Sequence, residues 1–235
     1  MLIGPQNLTA HVNHVRSRIR HAALAAGRDP DAVTLVAVTK GKSAETMREA
    51  ATAGVTDFGE NYLKEALPKM DRLHELAVHW HYIGQIQSNK TRLIAKAFSW
   101  VHSLDRLGLA QRLSEQRPYH APPLQVCLQV ALLPEPGKGG VAPAMLPELA
   151  ASVAQLPRLQ LRGLMCIPPP QSQVPAQRAV FARLRILKDE LNANGLKLDT
   201  LSMGMSADFE SAIAEGATMV RIGTALFGAR EIREI

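Results

Sequence analysis

Two segments near the end of the chain concentrate the residues able to do chemistry. They are Leu201-Ser202-Met203-Gly204-Met205-Ser206-Ala207-Asp208 and Met219-Val220-Arg221-Ile222-Gly223-Thr224. Each reads as an apolar strand that breaks into a turn of small residues and then a helix. Such a turn aims backbone N–H groups and hydroxyls at one place, which is how proteins hold a phosphate. Ser206, Gly223 and Thr224 stand where that would happen. A serine in this position also suits a plain helix N-cap, and the two roles use the same helix end. Arg221 falls inside an apolar run, where a guanidinium is costly unless it has a partner. A core carboxylate would serve. So would the ring nitrogen of a ligand, which the guanidinium would keep unprotonated because it holds its own proton so firmly.

Lys40 ends the run Leu35-Val36-Ala37-Val38-Thr39. By default such a lysine is a solvated charge. At the C-terminal end of a barrel strand it would lie in the barrel mouth, where loss of water lowers the amine pKa and frees it to attack an aldehyde. A reactive lysine, a phosphate cup and a cation facing a ring nitrogen are together the needs of pyridoxal phosphate (PLP). Asn61, in Phe58-Gly59-Glu60-Asn61-Tyr62, is placed either to reach the ring substituents of such a cofactor or to cap the helix that follows. His79 and His81 share one strand face, but metal ligation needs further ligands, and packing or surface roles are expected instead. His11 and His14 are one helical turn apart, on a face expected to be solvated. No metal site and no catalytic residue is assigned.

The elements that must position these residues alternate along the chain. Asn7 to Ala26 carries Leu8, Val12, Val15 and Ile19 at helical spacing and stops at Gly27. Val33 to Thr39 is the first strand, and Ser43 caps a helix running to Ala53. Further strands are expected at Thr56 to Phe58, Trp80 to Ile83, Trp100 to Ser103, Leu124 to Ala131, Leu159 to Cys166, Leu198 to Leu201 and Thr218 to Ile222. Helices are expected at Tyr62 to Leu76 (with Pro68 inside), Asn89 to Ala97, Arg106 to Gln116, Pro143 to Leu156, Pro175 to Asn194, Ala207 to Glu215 and Ala225 to Arg230. Strands that each lead into a helix imply a parallel sheet. At 235 residues, near the ~250 typical of a (β/α)₈ barrel, closure is expected over an open sheet. No composition shift divides the chain, so residues 1–235 are expected to form one domain, with the N-terminal helix added to the barrel.

Composition excludes several classes. Hydrophobic residues make up 46%, too many for a disordered chain. The net charge of +6 raises nucleic acid or anionic ligands as partners. The basic residues are scattered, however, and three Tyr, two Trp and five Phe do not make a stacking platform, so no specific nucleic acid is expected. Cys127 and Cys166 lie in apolar runs and read as reduced, buried residues of a cytoplasmic protein. The N-terminal segment lacks a signal-peptide core and no apolar run reaches the ~18 residues of a membrane span.

With these residues in view, the chain resembles the pyridoxal phosphate homeostasis proteins, also called the PLP-binding or proline-synthase-co-transcribed family. The matching motifs are Ala37-Val38-Thr39-Lys40, Phe58 to Tyr62, Trp80-His81-Tyr82-Ile83-Gly84 with Gln87-Ser88-Asn89-Lys90, and His102-Ser103-Leu104-Asp105-Arg106. Arg162-Gly163-Leu164-Met165, Leu201 to Asp208, and Met219 to Thr224 with Phe227-Gly228 complete the series. They span nearly the whole chain in order, and the last two are the most specific. The resemblance implies a single (β/α)₈ TIM barrel of the alanine-racemase N-terminal-domain type. It implies Lys40 as the lysine bonded to PLP, Arg221 against the pyridine nitrogen, and Ser206, Gly223 and Thr224 around the phosphate. It implies a monomeric carrier or reservoir of PLP that influences amino-acid and keto-acid balance, with PLP-dependent apo-enzymes as recipients and no robust catalysis. The alternative is a racemase-like PLP enzyme of weak activity. Racemases of this fold add a C-terminal β-domain bearing an opposing tyrosine, whereas this sequence stops soon after the eighth strand. Two departures stand out. Gly41-Lys42-Ser43 occupies a place where the family often has proline, and Pro136-Gly137-Lys138-Gly139-Gly140 stands where the family carries a Ser-Lys-x-Gly element that could supply a second PLP-handling lysine, so no role in transfer is assigned to Lys138.

Overall fold

Apolar runs flanked by small-residue turns become strands buried on both faces, as a parallel sheet requires. The computed structural model describes residues 5–133 and 139–228, with side chains from residue 8 onward. Lys138 lies outside the described residues, and the expected helix from Ala225 to Arg230 is described only over Thr224–Phe227. Among the described residues the strands are β1 (Thr34–Val38), β2 (Asp57–Glu60), β3 (His79–Tyr82), β4 (Trp100–Leu104), β5 (Leu124–Gln129), β6 (Leu159–Met165), β7 (Thr200–Ser202) and β8 (Met219–Ile222). All neighbours pair in parallel and in sequence order, and β8 closes on β1 to complete the barrel. The helices are α1 (Pro5–Ala25), α2 (Ala44–Thr52), α3 (Leu63–Arg72), α4 (Thr91–Ala97), α5 (Leu107–Gln116), α6 (Leu146–Ala154), α7 (Val174–Ala193), α8 (Phe209–Ala214) and α9 (Thr224–Phe227). No helix among the described residues is long and apolar enough to cross a membrane.

Boundaries move where side chains take over the backbone. The seventh strand starts at Thr200 rather than Leu198, because the Asn192 side chain both donates to the Leu198 carbonyl and accepts from its N–H. Helix α3 runs through Pro68, which has no amide to donate, and ends at Arg72 rather than Leu76. Ser43 caps α2 as expected, its hydroxyl accepting from the Thr46 N–H.

Register decides which side chains enter the barrel. Val36 pairs with Asp57 on one side and Arg221 on the other, and Gly59 pairs with His81. Side chains alternate along a strand, so Val36, Val38 and Lys40 fall on one face of the β1 segment, and Asp57, Gly59 and Asn61 on the matching face of the β2 segment. A Cβ on Gly59 would lie 3.1 Å from the Val36 and Ile83 side chains, which identifies this face as the packed interior. The opposite face meets the helices.

Helix α1 is the addition to the barrel. Leu8, Val12, Val15, Ile19 and Ala23 form a buried stripe along it, packed against α2, α8 and α9. Each large member of such a stripe contributes roughly 1.5–3 kcal/mol on burial. Ile19→Ala should therefore destabilise the fold by about 2–5 kcal/mol. Arg20→Ala, one residue on and exposed, should stay within about 0.5 kcal/mol. Urea unfolding of both variants checks the assignment of α1 to the cooperative core.

Candidate functional site: the C-terminal mouth of the barrel

Lys40 follows β1 at the barrel mouth and is half-buried. The backbone on either side of it is clamped from the helix layer. The Lys69 ammonium donates to the Thr39 carbonyl (2.8 Å) and to Glu60 Oε1 (2.8 Å). Thr39 Oγ1 donates to the same carboxylate oxygen at 2.6 Å. On the other side, Glu65 Oε2 accepts from the Gly41 N–H at 2.7 Å. Strand β2 supplies Glu60 and α3 supplies Glu65 and Lys69, so the position of Lys40 is set by the outer shell of the fold. Burial pushes the Glu60 carboxyl up, against the lowering pull of Lys69 and Thr39. Sequence reasoning missed this cluster. Its one signal is Lys69 itself, in phase with Leu63 and Ala66 on the buried face of α3.

Asn61 follows β2 beside this clamp. It does not cap α3, whose N-cap is Tyr62. Its Oδ1 is buried and has no hydrogen-bond partner among the described residues, an uncommon and costly state for a polar atom. Its backbone is held by Gly84, where a Cβ would lie 2.0 Å from the Asn61 carbonyl oxygen, so no larger residue fits.

One hydrogen bond joins the two small-residue turns read from the sequence: Ser206 Oγ accepts from the Ala225 N–H at 3.2 Å. Ser206 thus caps α9, which follows the neighbouring strand, rather than the helix that follows it. The turn that carries it depends on Gly204, at φ +93°, where a Cβ would meet the Ala212 side chain at 2.6 Å. Gly223 differs. Its φ is −118° and a Cβ there would make only ordinary contact with Val38 at 3.5 Å. The fold does not demand glycine, yet its absence of side chain leaves the backbone of Gly223 and Thr224 open to close approach. The far end of α9 is tied down by His11 Nδ1, 3.0 Å from the Leu226 carbonyl oxygen, and by Lys42, whose ammonium donates to the Phe227 carbonyl. His11 is therefore half-buried against α9, not on a solvated face.

Arg221 lies on β8, 4% exposed. Among the described residues its hydrogen-bond acceptors are neutral: Nη1 donates to Ser202 Oγ (2.7 Å) and Nη2 to the Cys166 carbonyl (2.8 Å). Neither bond uses Nε. Burial pulls the guanidinium below the ordinary arginine range, while Asp208 favours its charge from a distance. Cys127 and Cys166 are free and buried, and burial pushes both thiols up to about 12, so neither is a ready nucleophile. His81 makes contact with Asp57 and His102, and among the described residues no group of three or more metal-binding side chains is assembled.

Lys40, Asn61, Ser206, Gly223 and Thr224 thus follow the C-terminal ends of β1, β2, β7 and β8, with Arg221 on β8 itself. The alanine racemase N-terminal domain family matches residues 10–231. That defines the class: a barrel of the alanine-racemase N-terminal type. A pyridoxal phosphate homeostasis protein of Pseudomonas aeruginosa is 61% identical over 224 residues, covering 95% of this chain and 96% of that one. Its counterpart in Escherichia coli K12 is 48% identical over 228 residues, with 96% and 97% covered. The solved structure of PipY from Synechococcus elongatus PCC7942 with PLP bound has a TM-score of 0.84 at 39% identity, covering 94% of this chain and all of PipY. The chain belongs to the family of pyridoxal phosphate homeostasis proteins, as its motifs indicated.

The clamp around Lys40 makes a signed pH prediction. With its carboxyl raised by burial, Glu60 is easier to protonate in the folded chain, so its ionisation costs stability as pH rises through that raised value. Lys69 offsets this cost. Lys69→Met should destabilise by about 3–5 kcal/mol at a pH where Glu60 is ionised, and by clearly less at a pH low enough for Glu60 to take up a proton. Urea unfolding at both pH values measures this, and an equal loss at both would contradict it.

Proposed function

We propose that this protein is a carrier and reservoir of PLP, bound at the C-terminal mouth of its barrel. The observation that carries the reading is Arg221: a buried guanidinium whose acceptors among the described residues are neutral groups on Nη1 and Nη2, with no bond from Nε, on the strand that leads into Gly223 and Thr224. The orphaned Asn61 Oδ1 and the uncrowded Gly223 fit a ligand with a polar ring and a phosphate. PLP bound to PipY supports the same reading.

When bound, PLP supplies an aldehyde that a lysine amine captures covalently with loss of water. Lys40 supplies that amine. Ser206, Gly223 and Thr224 hold the phosphate through hydroxyls and backbone, and Asn61 faces the ring substituents. Arg221 donates to the ring nitrogen and, keeping its own proton, leaves that nitrogen unprotonated. Turnover needs a positioned acid or base in addition. No acid or base is assigned among these residues, and on this reading the set retains the cofactor rather than using it. On this reading PLP-dependent apo-enzymes are the recipients, and the protein influences amino-acid and keto-acid balance. It acts as a monomer of one PLP-binding domain without specific nucleic-acid partners. The free, buried cysteines support a reducing, cytoplasmic compartment.

Lys40→Ala should abolish the visible absorption of the PLP-loaded protein and its retention of cofactor after borohydride, with the far-ultraviolet circular dichroism unchanged. A variant with a band of equal intensity would overturn the assignment. L-Amino acids mixed with the loaded protein in deuterated water should keep their α-protons. Exchange at an ordinary enzymatic rate, of order 1 per second or faster, would replace the reservoir with a racemase.

A further inference from the structure

The bond between Arg221 and Ser202 is one link of a longer chain. Ser202 Oγ lies 2.7 Å from His102 Nδ1, and His102 Nε2 lies 2.9 Å from His81 Nδ1. His81 Nε2 in turn lies 2.9 Å from Asp57 Oδ1. The contacts cross the barrel interior from β8 through β7, β4 and β3 to the first residue of β2. His81, His102 and Ser202 are all 0% exposed, so water does not compete for them. Asp57 ends the chain at a cleft shared with Arg16, Arg20 and Thr56, and its Oδ2 accepts from Thr56 Oγ1 at 2.7 Å.

Counting donors gives the chain a direction. A guanidinium only donates, so Ser202 Oγ accepts from Arg221. The serine hydroxyl has one hydrogen, and His102 Nδ1 is placed to accept it. At the other end a carboxylate only accepts, so the hydrogen between Asp57 and His81 sits on His81 Nε2. A neutral His81 then offers Nδ1 as an acceptor, and His102 Nε2–H donates to it. Both rings are neutral, both carry hydrogen on Nε2, and every bond points from Arg221 toward Asp57. Protonating either ring would add a second cation to the interior that holds Arg221. Burial pulls His81 below the ordinary histidine range despite Asp57, and burial together with His81 and Arg221 holds His102 well below it. Burial pushes the Asp57 carboxyl up, but the hydrogen bonds from His81 and Thr56 outweigh this and keep it below the usual carboxylate range.

We propose that Asp57, His81, His102 and Ser202 are positioning residues for Arg221, a directed relay that fixes the aim of the guanidinium toward the cofactor ring and links it to a carboxylate at the relay's far end. The proposal rests on the PLP reading above. Two of the arginine's nitrogens are locked by Ser202 and the Cys166 carbonyl, and among the described residues Nε makes no bond, which assigns its edge to the ring. The relay holds Ser202 in turn, because its hydroxyl hydrogen is committed to His102.

The first test needs no cofactor. Histidine side-chain nitrogen NMR of the full chain should find His81 and His102 both neutral with hydrogen on Nε2. A hydrogen on Nδ1 of either ring overturns the relay. In the PLP-loaded protein, Ser202→Ala should weaken PLP binding about tenfold, by analogy with the loss when outer partners of metal ligands are removed, and should shift the maximum of the visible band. Ser202→Thr, which keeps the hydroxyl, should restore both. Asp57→Asn, which preserves shape but removes the charge, should shift the band in the same direction. If the wild type takes up PLP and these variants bind and absorb as it does, the relay is wrong and the PLP reading stands. If the wild type takes up no PLP, the PLP reading fails and the positioning role falls with it. Should a variant fail to fold, the histidine tautomers of the wild type decide.

Discussion

A charge buried inside a closed barrel constrains everything around it. Arg221 projects from β8 into the barrel interior, and removing a guanidinium from water costs several kcal/mol unless its hydrogens are matched. The fold meets this with a serine hydroxyl on β7 and a carbonyl just past the end of β6. Those acceptors are in place only if the barrel closes in its observed register, with Val36 between Asp57 and Arg221. The register in turn sets the parity of each strand, and parity puts Lys40, Asn61 and Gly223 on the face that looks into the mouth. One buried cation is therefore bound up with strand order, closure and the site.

Two shells divide the labour. The inner shell holds Arg221 and its polar contacts. The outer shell, between strands and helices, holds the carboxylate and ammonium of Glu60 and Lys69, which grip the backbone around Lys40. Such a grip sets the place of the lysine without using its side chain. Helix α9 is fixed by the same logic: Ser206 at its first turn, His11 and Lys42 at its last.

Much of this was legible in the sequence, for identifiable reasons. Lys40, Ser206, Gly223 and Thr224 stand where an apolar strand breaks into a turn, and that break is visible in composition alone. Arg221 stands out because a guanidinium inside an apolar run is rare. The order of strands followed from helix and strand signals in alternation. What was not legible depends on closure. His81 shares a strand with His79, but only a closed barrel brings His102 of β4 against Ser202 of β7. Glu60 and Lys69 are nine positions apart and look like two surface charges until α3 folds back over β2. Asn61 could have been a helix cap, and only the position of Tyr62 as the cap releases it.

The most direct measurement is a crystal structure of the protein grown with PLP. The account predicts density continuous from the Lys40 side chain into the cofactor, the phosphate against Ser206, Gly223 and Thr224, and Arg221 Nε within hydrogen-bond reach of the ring nitrogen. Density continuous from another lysine, or a phosphate at the N-terminal end of the strands near Asp57, would contradict it.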